Sequence, residues 1–385
     1  MGAWEEIEKH IDGRAGEIAV LRSKGVKIVG YTPGDFMPEE LVWASGAVPI
    51  CLVRGGEPEP VEASAVFIPR FIDTFCRAQI GYLLSEEEAP FYNMIDLLVV
   101  PITDSGNLRA IADCCDHYSD IDVFRFGVPH LKEETSIEYY KEGLRLLKGR
   151  LERVTGNTIT EEKLFEATEL YNRLRELLKK ISLLRKRENP PLTGLEFVKL
   201  NHYSYLADAQ VLVPLLDRLY RELEQKEARA KSPRIMLMGS TLALGDYKVL
   251  RLLEQAGASI VVESFMEGIR YYWNNVEPAG DPITALADKY YWRRQALGHF
   301  KPPRPAMDFN IDLAREFKVA GIGWYQLLYR EVYDIGSFYF SRYLKEQMGI
   351  PMIKIESDYD PGEIGPLRTR LETFIEMARR SGNVD

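Results

Sequence analysis

Residues 95–102 read Ile-Asp-Leu-Leu-Val-Val-Pro-Ile, and this run decides the fold. It is almost continuously apolar, which is typical of a strand buried on both faces of a parallel sheet. The turn-forming residues 104–107 follow it, and residues 107–117 have the pattern of a helix. Other short apolar runs predict strands at residues 26–30, 48–53 and 123–126. Strands that alternate with helices in this way favour a parallel α/β sheet.

The same alternation returns in the last third of the chain. Its predicted strands are residues 234–238, 259–263, 319–325 and 352–356, followed by a helix at 366–380. We therefore expect an α/β protein with two Rossmann- or flavodoxin-like parallel-sheet units. Two such units can face each other across a cleft where the carboxyl ends of their strands meet. The loops predicted to line it are 32–37, 103–107, 239–245 and 357–363.

Between the two units the sequence is helical. Apolar residues recur at three- and four-residue spacing from Ile137 to Val154 and from Leu164 to Ile181, which predicts two helices with one buried face each. A chain of 385 residues is long enough for more than one core. The predicted division is an N-terminal α/β unit at 1–134, a helical region at 135–231 and a C-terminal α/β unit at 232–385.

The charge of the chain argues against two classes of partner. The formal net charge is -9 at pH 7, whereas nucleic acids and anionic membranes both require a basic face. The acidic N-terminus has no apolar segment of the kind found in signal peptides, and no apolar run is long enough to span a bilayer. We expect a cytoplasmic protein with reduced thiols and with neither a nucleic-acid nor a membrane partner.

Three of the four cysteines lie in two short segments, Phe75-Cys76-Arg77 and Asp113-Cys114-Cys115-Asp116. Three thiolates that a fold brings together can hold an iron–sulfur cube by three irons and leave the fourth iron open. Buried cysteines without a chemical role are also common, and no CxxC pair is present. Cys51 lies in an apolar strand and is predicted to be core. The residues alone do not distinguish between cysteines that hold an iron–sulfur cluster and cysteines with a purely structural role.

Other motifs give little information. The sequence contains no dinucleotide-binding, P-loop or serine-hydrolase motif, and its five histidines show no spacing typical of metal ligands. Gly239-Ser240-Thr241 follows a predicted strand. This segment is compatible with a phosphate-binding turn at the start of a helix and equally with a plain tight turn.

Short segments spread over nearly the whole chain carry a family resemblance. They are Gly30-Tyr31-Thr32-Pro33, residues 36–41 and 44–49, Phe75-Cys76-Arg77, residues 97–102 with Asp104, Ala279-Gly280-Asp281-Pro282, and residues 355–359 and 369–377. Together they resemble the 2-hydroxyacyl-CoA dehydratase / benzoyl-CoA reductase family, and the D-component of 2-hydroxyglutaryl-CoA dehydratase in particular. The resemblance is specific at the two ends of the chain, whereas the middle matches only as generic helix.

The resemblance implies an oxygen-sensitive iron–sulfur subunit with a [4Fe-4S] cluster. It also implies a homologous second subunit, in a heterodimer or a homodimer, and a separate ATP-dependent iron–sulfur activator that supplies low-potential electrons. The implied substrate is an acyl-CoA thioester, on which one electron forms a ketyl radical. The implied outcome is dehydration of a 2-hydroxyacyl-CoA or reduction of an aromatic ring. A related branch, the double-cubane cluster proteins, reduces small molecules instead.

The cysteine pattern departs from that of the family. Cys76 matches the first cluster ligand, but Thr103 stands at the usual second position, and the third falls near Arg330, where this chain has no cysteine. We expect Cys114 and Cys115 to replace the missing ligands, so that Cys76, Cys114 and Cys115 hold the cluster. Two alternatives stay open: a cluster-poor partner subunit that shapes the acyl-CoA pocket, and a relative that has lost redox chemistry. The candidate substrate contacts are Thr103, Ser240, Thr241 and Arg330.

Overall fold

The strands form two parallel sheets of the same topology. The computed structural model describes residues 2–85, 89, 91–103, 106–226, 233–277 and 280–381. The first sheet has the order β2-β1-β3-β4 and consists of β1 (Ile28–Tyr31), β2 (Val48–Cys51), β3 (Leu97–Ile102) and β4 (Asp122–Gly127). The second has the order β6-β5-β7-β8 and consists of β5 (Arg234–Gly239), β6 (Ser259–Ser264), β7 (Gly321–Leu327) and β8 (Met352–Ser357). The predicted α/β class with two parallel-sheet units is confirmed.

The helices cover both sheets and fill the region between them. They are α1 (Ala3–Ser23), α2 (Glu39–Ala44), α3 (Pro58–Ala63), α4 (Thr74–Leu84), α5 (Asn107–Tyr118), α6 (Glu134–Thr155), α7 (Glu161–Leu183), α8 (Gly194–Ser204), α9 (Ala209–Glu224), α10 (Lys248–Gln255), α11 (Ile269–Tyr272), α12 (Pro282–Ala287), α13 (Arg304–Glu316), α14 (Glu331–Gln347) and α15 (Ile364–Ser381). In the parts of the chain that the structure describes, no helix is long and apolar enough to cross a membrane.

Strand β3 is buried on both faces of its sheet, which explains why its sequence is an unbroken apolar run. Successive side chains of a strand point to opposite faces of the sheet. Accordingly Leu97 and Val99 pack in one apolar cluster, whereas Leu98 and Val100 pack in another, and all four are fully buried. Both faces of this sheet are therefore covered, as the sequence predicts. The prediction that Cys51 belongs to the core is confirmed too, since its side chain is buried at the end of β2.

The helical region packs against both units. The predicted apolar faces of α6 and α7 are buried, and α7 contacts α9, α2 of the N-terminal part and α11 of the C-terminal part. These contacts do not decide where one domain ends and the next begins, so the division at residues 134 and 231 stays a prediction.

Backbone hydrogen bonds join the carboxyl-end loops of the two units. The amide of Leu244 donates to the Val53 carbonyl at 2.8 Å, and the amide of Gly55 donates to the Leu244 carbonyl at 2.9 Å. On the other side, the amide of Lys301 donates to the carbonyl of His130 at 2.9 Å. The two sets of strand ends therefore face each other, and the predicted cleft lies where they meet.

Candidate functional site

A cavity of about 190 Å³ lies between the carboxyl ends of the two sheets. Loops that follow β1, β3, β4, β6 and β7 line it, together with the irregular segment 294–299. The lining residues are Gly34, Phe36, Thr103, His130, Met266, Arg294, Ala296, Gly298, His299, Arg330, Val332 and Tyr333. Sites for whole ligands typically measure roughly 300–1,000 Å³, so this cavity has room for only one end of a larger molecule.

Arg330, just before α14, is one of two buried arginines among the described residues that line the cavity. Its Nε lies 2.9 Å from Oδ2 of Asp73, and both side chains are buried. Asp73 also caps α4, because its Oδ1 accepts the amide of Cys76 at 2.9 Å. Asn107 fixes the aspartate by accepting its amide at 2.8 Å, and it donates to the Tyr329 carbonyl at 3.3 Å. This network ties the starts of α4 and α5 to the loop after β7.

Arg294 is the second guanidinium group, and its partner is Asp35. Nη1 of Arg294 lies 3.5 Å from Oδ2 of Asp35, and Lys289 Nζ lies 2.8 Å from Oδ1. Burial lowers the pKa of Lys289 to about 8, although Asp35 opposes that shift. Asp35 adopts a left-handed backbone with φ of 57°, a conformation that aspartate tolerates better than most residues. Because two cations share one carboxylate, the group carries a net positive charge when all three are ionised.

Two histidines lie beside these arginines. The rings of His130 and His299 are 4.5 Å apart. Burial, and secondarily His130, lower the pKa of His299 to about 3, so His299 is neutral at physiological pH. Among the described residues that line the cavity there is no carboxylate. The site can therefore stabilise an oxygen on which negative charge develops, since hydrogen bonds from charged donors are stronger than those from neutral donors.

The structure places the three candidate cluster thiols on adjacent helices. Cys76 lies in the first turn of α4, and Cys114 and Cys115 lie in the second half of α5. At 1.5 Å per residue, this pair is about 10 Å along the helix from Asn107, which neighbours the start of α4. Burial raises the pKa of Cys114 to about 11 and that of Cys115 to about 12, with smaller effects of nearby charges. Both thiols are therefore protonated at neutral pH.

These residues do not fit an iron–sulfur cluster as they stand. In the described ranges, no group of three or more His, Cys, Asp or Glu side chains is arranged to hold a metal ion. At the two family positions that lack cysteine, Thr103 and Arg330 line the cavity, and Asp73 pairs with the arginine there. This geometry supports no chemical step through a cluster, and the assignment of Cys76, Cys114 and Cys115 as ligands stays a prediction.

Ser240 and Thr241 are fully buried and are absent from the described lining of the cavity. The Ser240 amide donates to the Tyr325 carbonyl at 3.1 Å, so it is already engaged. Gly239 has φ of +145°, and a Cβ at this position would lie 1.8 Å from the same carbonyl oxygen. These contacts do not decide between a phosphate-binding turn and a plain tight turn, so a phosphate-binding role for Ser240 and Thr241 stays a prediction.

Comparisons with known proteins assign the family. The family model of 2-hydroxyglutaryl-CoA dehydratase, D-component, matches residues 36–378. The chain belongs to this family. The proposed dehydratase subunit YjiM of Escherichia coli K12 is 27% identical over 365 residues, which cover 93% of this chain and 93% of YjiM.

Two further relatives of this dehydratase family are named after their reactions. The (R)-phenyllactyl-CoA dehydratase beta subunit of Clostridium sporogenes is 24% identical over 368 residues, which cover 92% of this chain and 93% of the relative. A benzoyl-CoA reductase subunit of Thauera aromatica is 24% identical over 271 residues, which cover 68% of this chain and 67% of the relative. The family suspected from the sequence is confirmed.

Sequence reasoning located part of this family member's cleft and missed the rest. Thr103 and Arg330 both line the cavity; Thr103 lies in a loop predicted from the end of β3, whereas Arg330 was named only because of the family resemblance. His130 was not predicted, although it follows β4 and the argument from strand ends applies to it as well. Arg294 and His299 follow no strand or motif that signals them. The segments quoted for the resemblance also include Asp104 and Ala279, which lie outside the described residues.

Proposed function

We propose that the chain is a cluster-free, acyl-CoA-binding subunit of a 2-hydroxyacyl-CoA dehydratase or of a related acyl-CoA reductase. One observation carries the proposal: the buried cationic residues Arg294 and Arg330 both line the cavity at the meeting strand ends. Membership of the dehydratase family supports an acyl-CoA thioester as the ligand.

In this proposal the two arginines bind the carbonyl oxygen of the thioester. Each is held by a buried aspartate, Asp35 or Asp73, so its position is set before a ligand arrives. A thioester carbonyl oxygen that enters the cavity meets cationic donors. These donors bind more tightly as negative charge grows on the oxygen. The buried surroundings strengthen that interaction relative to water.

The proposal includes partners. The names of the relatives contain "subunit" or "beta subunit", which supports a homologous second subunit in a heterodimer or a homodimer. In the cluster-free form of the proposal, that partner carries the redox centre. An ATP-dependent iron–sulfur activator delivers low-potential electrons to the partner for ketyl chemistry, while this chain shapes the acyl-CoA site.

Calorimetric titration with phenylacetyl-CoA, and with free coenzyme A as the reference ligand, tests the acyl site. Arg294→Gln leaves Asp35 paired with Lys289, so this variant is expected to fold. Loss of a charged hydrogen bond of about 1.5–3 kcal/mol predicts binding that is roughly 10- to 100-fold weaker. The exposed Arg304, which pairs with Asp308 on α13, supplies the control variant Arg304→Gln. Equal affinity of wild type and Arg294→Gln would overturn the proposal.

The second candidate is the iron–sulfur subunit that the sequence predicts. It is favoured by one observation: Cys76, Cys114 and Cys115 belong to the same group of packed, buried hydrophobic residues, on the neighbouring helices α4 and α5. Anaerobic purification followed by iron quantification separates the two candidates. The cluster-free proposal requires a protein without iron even after reconstitution. Iron that is lost in Cys76→Ser and kept in Cys51→Ser would establish the second candidate instead.

A further inference from the structure

His130 presents one ring nitrogen that is not engaged. Its Nδ1 lies 3.0 Å from the carbonyl oxygen of His299, and a carbonyl only accepts, so Nδ1 carries the hydrogen in the neutral ring. The other nitrogen, Nε2, therefore has the lone pair. The side chain is exposed and lines the cavity. His130 is thus prepared to accept a proton at a known atom.

His299 holds this orientation without adding charge. Its Nε2 lies 3.1 Å from the carbonyl oxygen of Pro129, so Nε2 donates, and the imidazole is neutral because burial lowers its pKa to about 3. The main chain supports the same arrangement, because the Lys301 amide donates to the His130 carbonyl at 2.9 Å and Leu131 forms a bridge with Lys301. The loop after β4 and the segment around His299 therefore fix each other reciprocally.

A base and an oxyanion site share the cavity. Arg294 and Arg330 line it together with His130, and the lining residues that the structure describes include no carboxylate that could act as the base instead. General bases are usually paired with groups that stabilise the charge they create. A carbon acid beside a carbonyl, such as an acyl thioester, needs these two elements to lose a proton.

We propose that Nε2 of His130 removes a proton from the carbon adjacent to the thioester carbonyl of an acyl-CoA bound at Arg294 and Arg330. The C–H bond breaks, its electron pair forms the C=C bond of the enolate, and the carbonyl π pair moves onto oxygen beside the arginines. The proton stays on His130 and returns in the reverse step. The step needs no oxidant or reductant. This inference rests on the proposed function, because it takes the same acyl-CoA as its ligand.

The test is hydrogen exchange of phenylacetyl-CoA in D2O, catalysed by the full chain and followed by proton NMR and mass spectrometry. This probe suits the test because its phenyl ring acidifies the adjacent CH2 group. We expect exchange of the CH2 hydrogens to be faster than in protein-free buffer. A positioned base contributes typically about 10²- to 10⁴-fold, so His130→Gln should slow the exchange by at least about 100-fold. His117→Gln, which alters an exposed histidine on α5 outside the cavity, should leave the rate unchanged.

Two further measurements separate catalysis from folding and from binding. Added imidazole should restore exchange in His130→Ala, which a purely structural role of the ring does not predict. Titration calorimetry reports whether each variant still binds phenylacetyl-CoA. Binding without exchange in the wild type, or equal exchange in wild type and His130→Gln, overturns the role of His130 and leaves the proposed function standing. Absence of binding in the wild type overturns both.

Discussion

The guanidinium group of Arg330 lies 2.9 Å from the carboxylate of Asp73, and 257 residues of sequence separate the two. The aspartate precedes α4, between β2 and β3 of the first sheet, and the arginine follows β7 of the second sheet. Both are buried. The pair is thus a polar connection between the two units, at a place where the family resemblance leads one to expect a cluster thiolate.

Removing one charge of this pair should destabilise the protein. Asp73→Asn is the sharper variant, because asparagine still caps α4 and only the charge is lost. Loss of the charge-assisted hydrogen bond between the two side chains should lower the unfolding free energy by about 1.5–3 kcal/mol. Urea denaturation measures this. The double variant Asp73→Asn/Arg330→Gln should lose less than the sum of the single variants.

The surface pair of Arg304 and Asp308 is the matched control for that experiment. It is exposed, and such pairs contribute about 0–1 kcal/mol, so Arg304→Gln should hardly change stability. If Asp73→Asn costs no more than this control, the buried pair does not link the two units in the way described.

A second prediction concerns Gly239, at the end of β5. Alanine there would place its Cβ 1.8 Å from the Tyr325 carbonyl oxygen, at a backbone φ of +145°. The neighbouring strand cannot yield, so Gly239→Ala should fail to fold or should unfold well below the wild-type temperature. Gly13→Ala is the control, because Gly13 lies inside α1 with open space around it. Thermal unfolding should show Gly13→Ala unchanged or stabilised by about 0.5–1 kcal/mol.

The fold could be predicted from local patterns because these patterns coincide with tertiary burial. The apolar run at β3 is buried on both faces, and residues 164–181 bury the face that their spacing indicates. Strand β7 was predicted two residues early, at 319–325 instead of Gly321–Leu327. Lys318 explains part of the shift, because its φ of 51° belongs to the turn that separates α13 from the strand.

The site was only partly predictable, for a physical reason. Thr103 and Arg330 follow strands, and the parallel topology alone carries such residues to one edge. Arg294 instead follows a π-helical segment at Asp288–Trp292, and contacts with Asp35 and the Gly34 carbonyl help fix its position. Those contacts span more than 250 residues, and no local pattern in one sequence encodes them.

Stability should fall at mildly acidic pH because of His202. This side chain is fully enclosed, with Nε2 2.8 Å from the Leu242 carbonyl and Nδ1 2.9 Å from the Tyr247 hydroxyl. Burial lowers its pKa from 6.5 to about 4. The unfolded chain therefore binds the proton first, and stability is lost as pH falls from about 6.5 toward 4, by up to about 1.4 kcal/mol per pH unit.

Urea denaturation of wild type and His202→Gln between pH 7.5 and 4.5 isolates this contribution. The difference in unfolding free energy between the two proteins should shrink as pH falls through that window, because the variant has no proton to gain at this position. A constant difference for His202→Gln would show that His202 does not titrate as its burial requires.

The last prediction concerns the reactivity of the cysteine pair. The pKa of Cys114 is raised to about 11 and that of Cys115 to about 12, mainly by burial. Only the thiolate is nucleophilic. A pKa two or more units above that of a free thiol lowers the thiolate fraction at least about 100-fold, so iodoacetamide at pH 7.5 should alkylate both residues at least about 100-fold more slowly than in guanidinium chloride. Peptide mass spectrometry resolves each cysteine separately, and the denatured chain serves as the internal reference. Rapid alkylation of Cys114 or Cys115 in the native protein would mean that α5 opens or that the thiols are ionised there, and it would favour these two residues as cluster ligands.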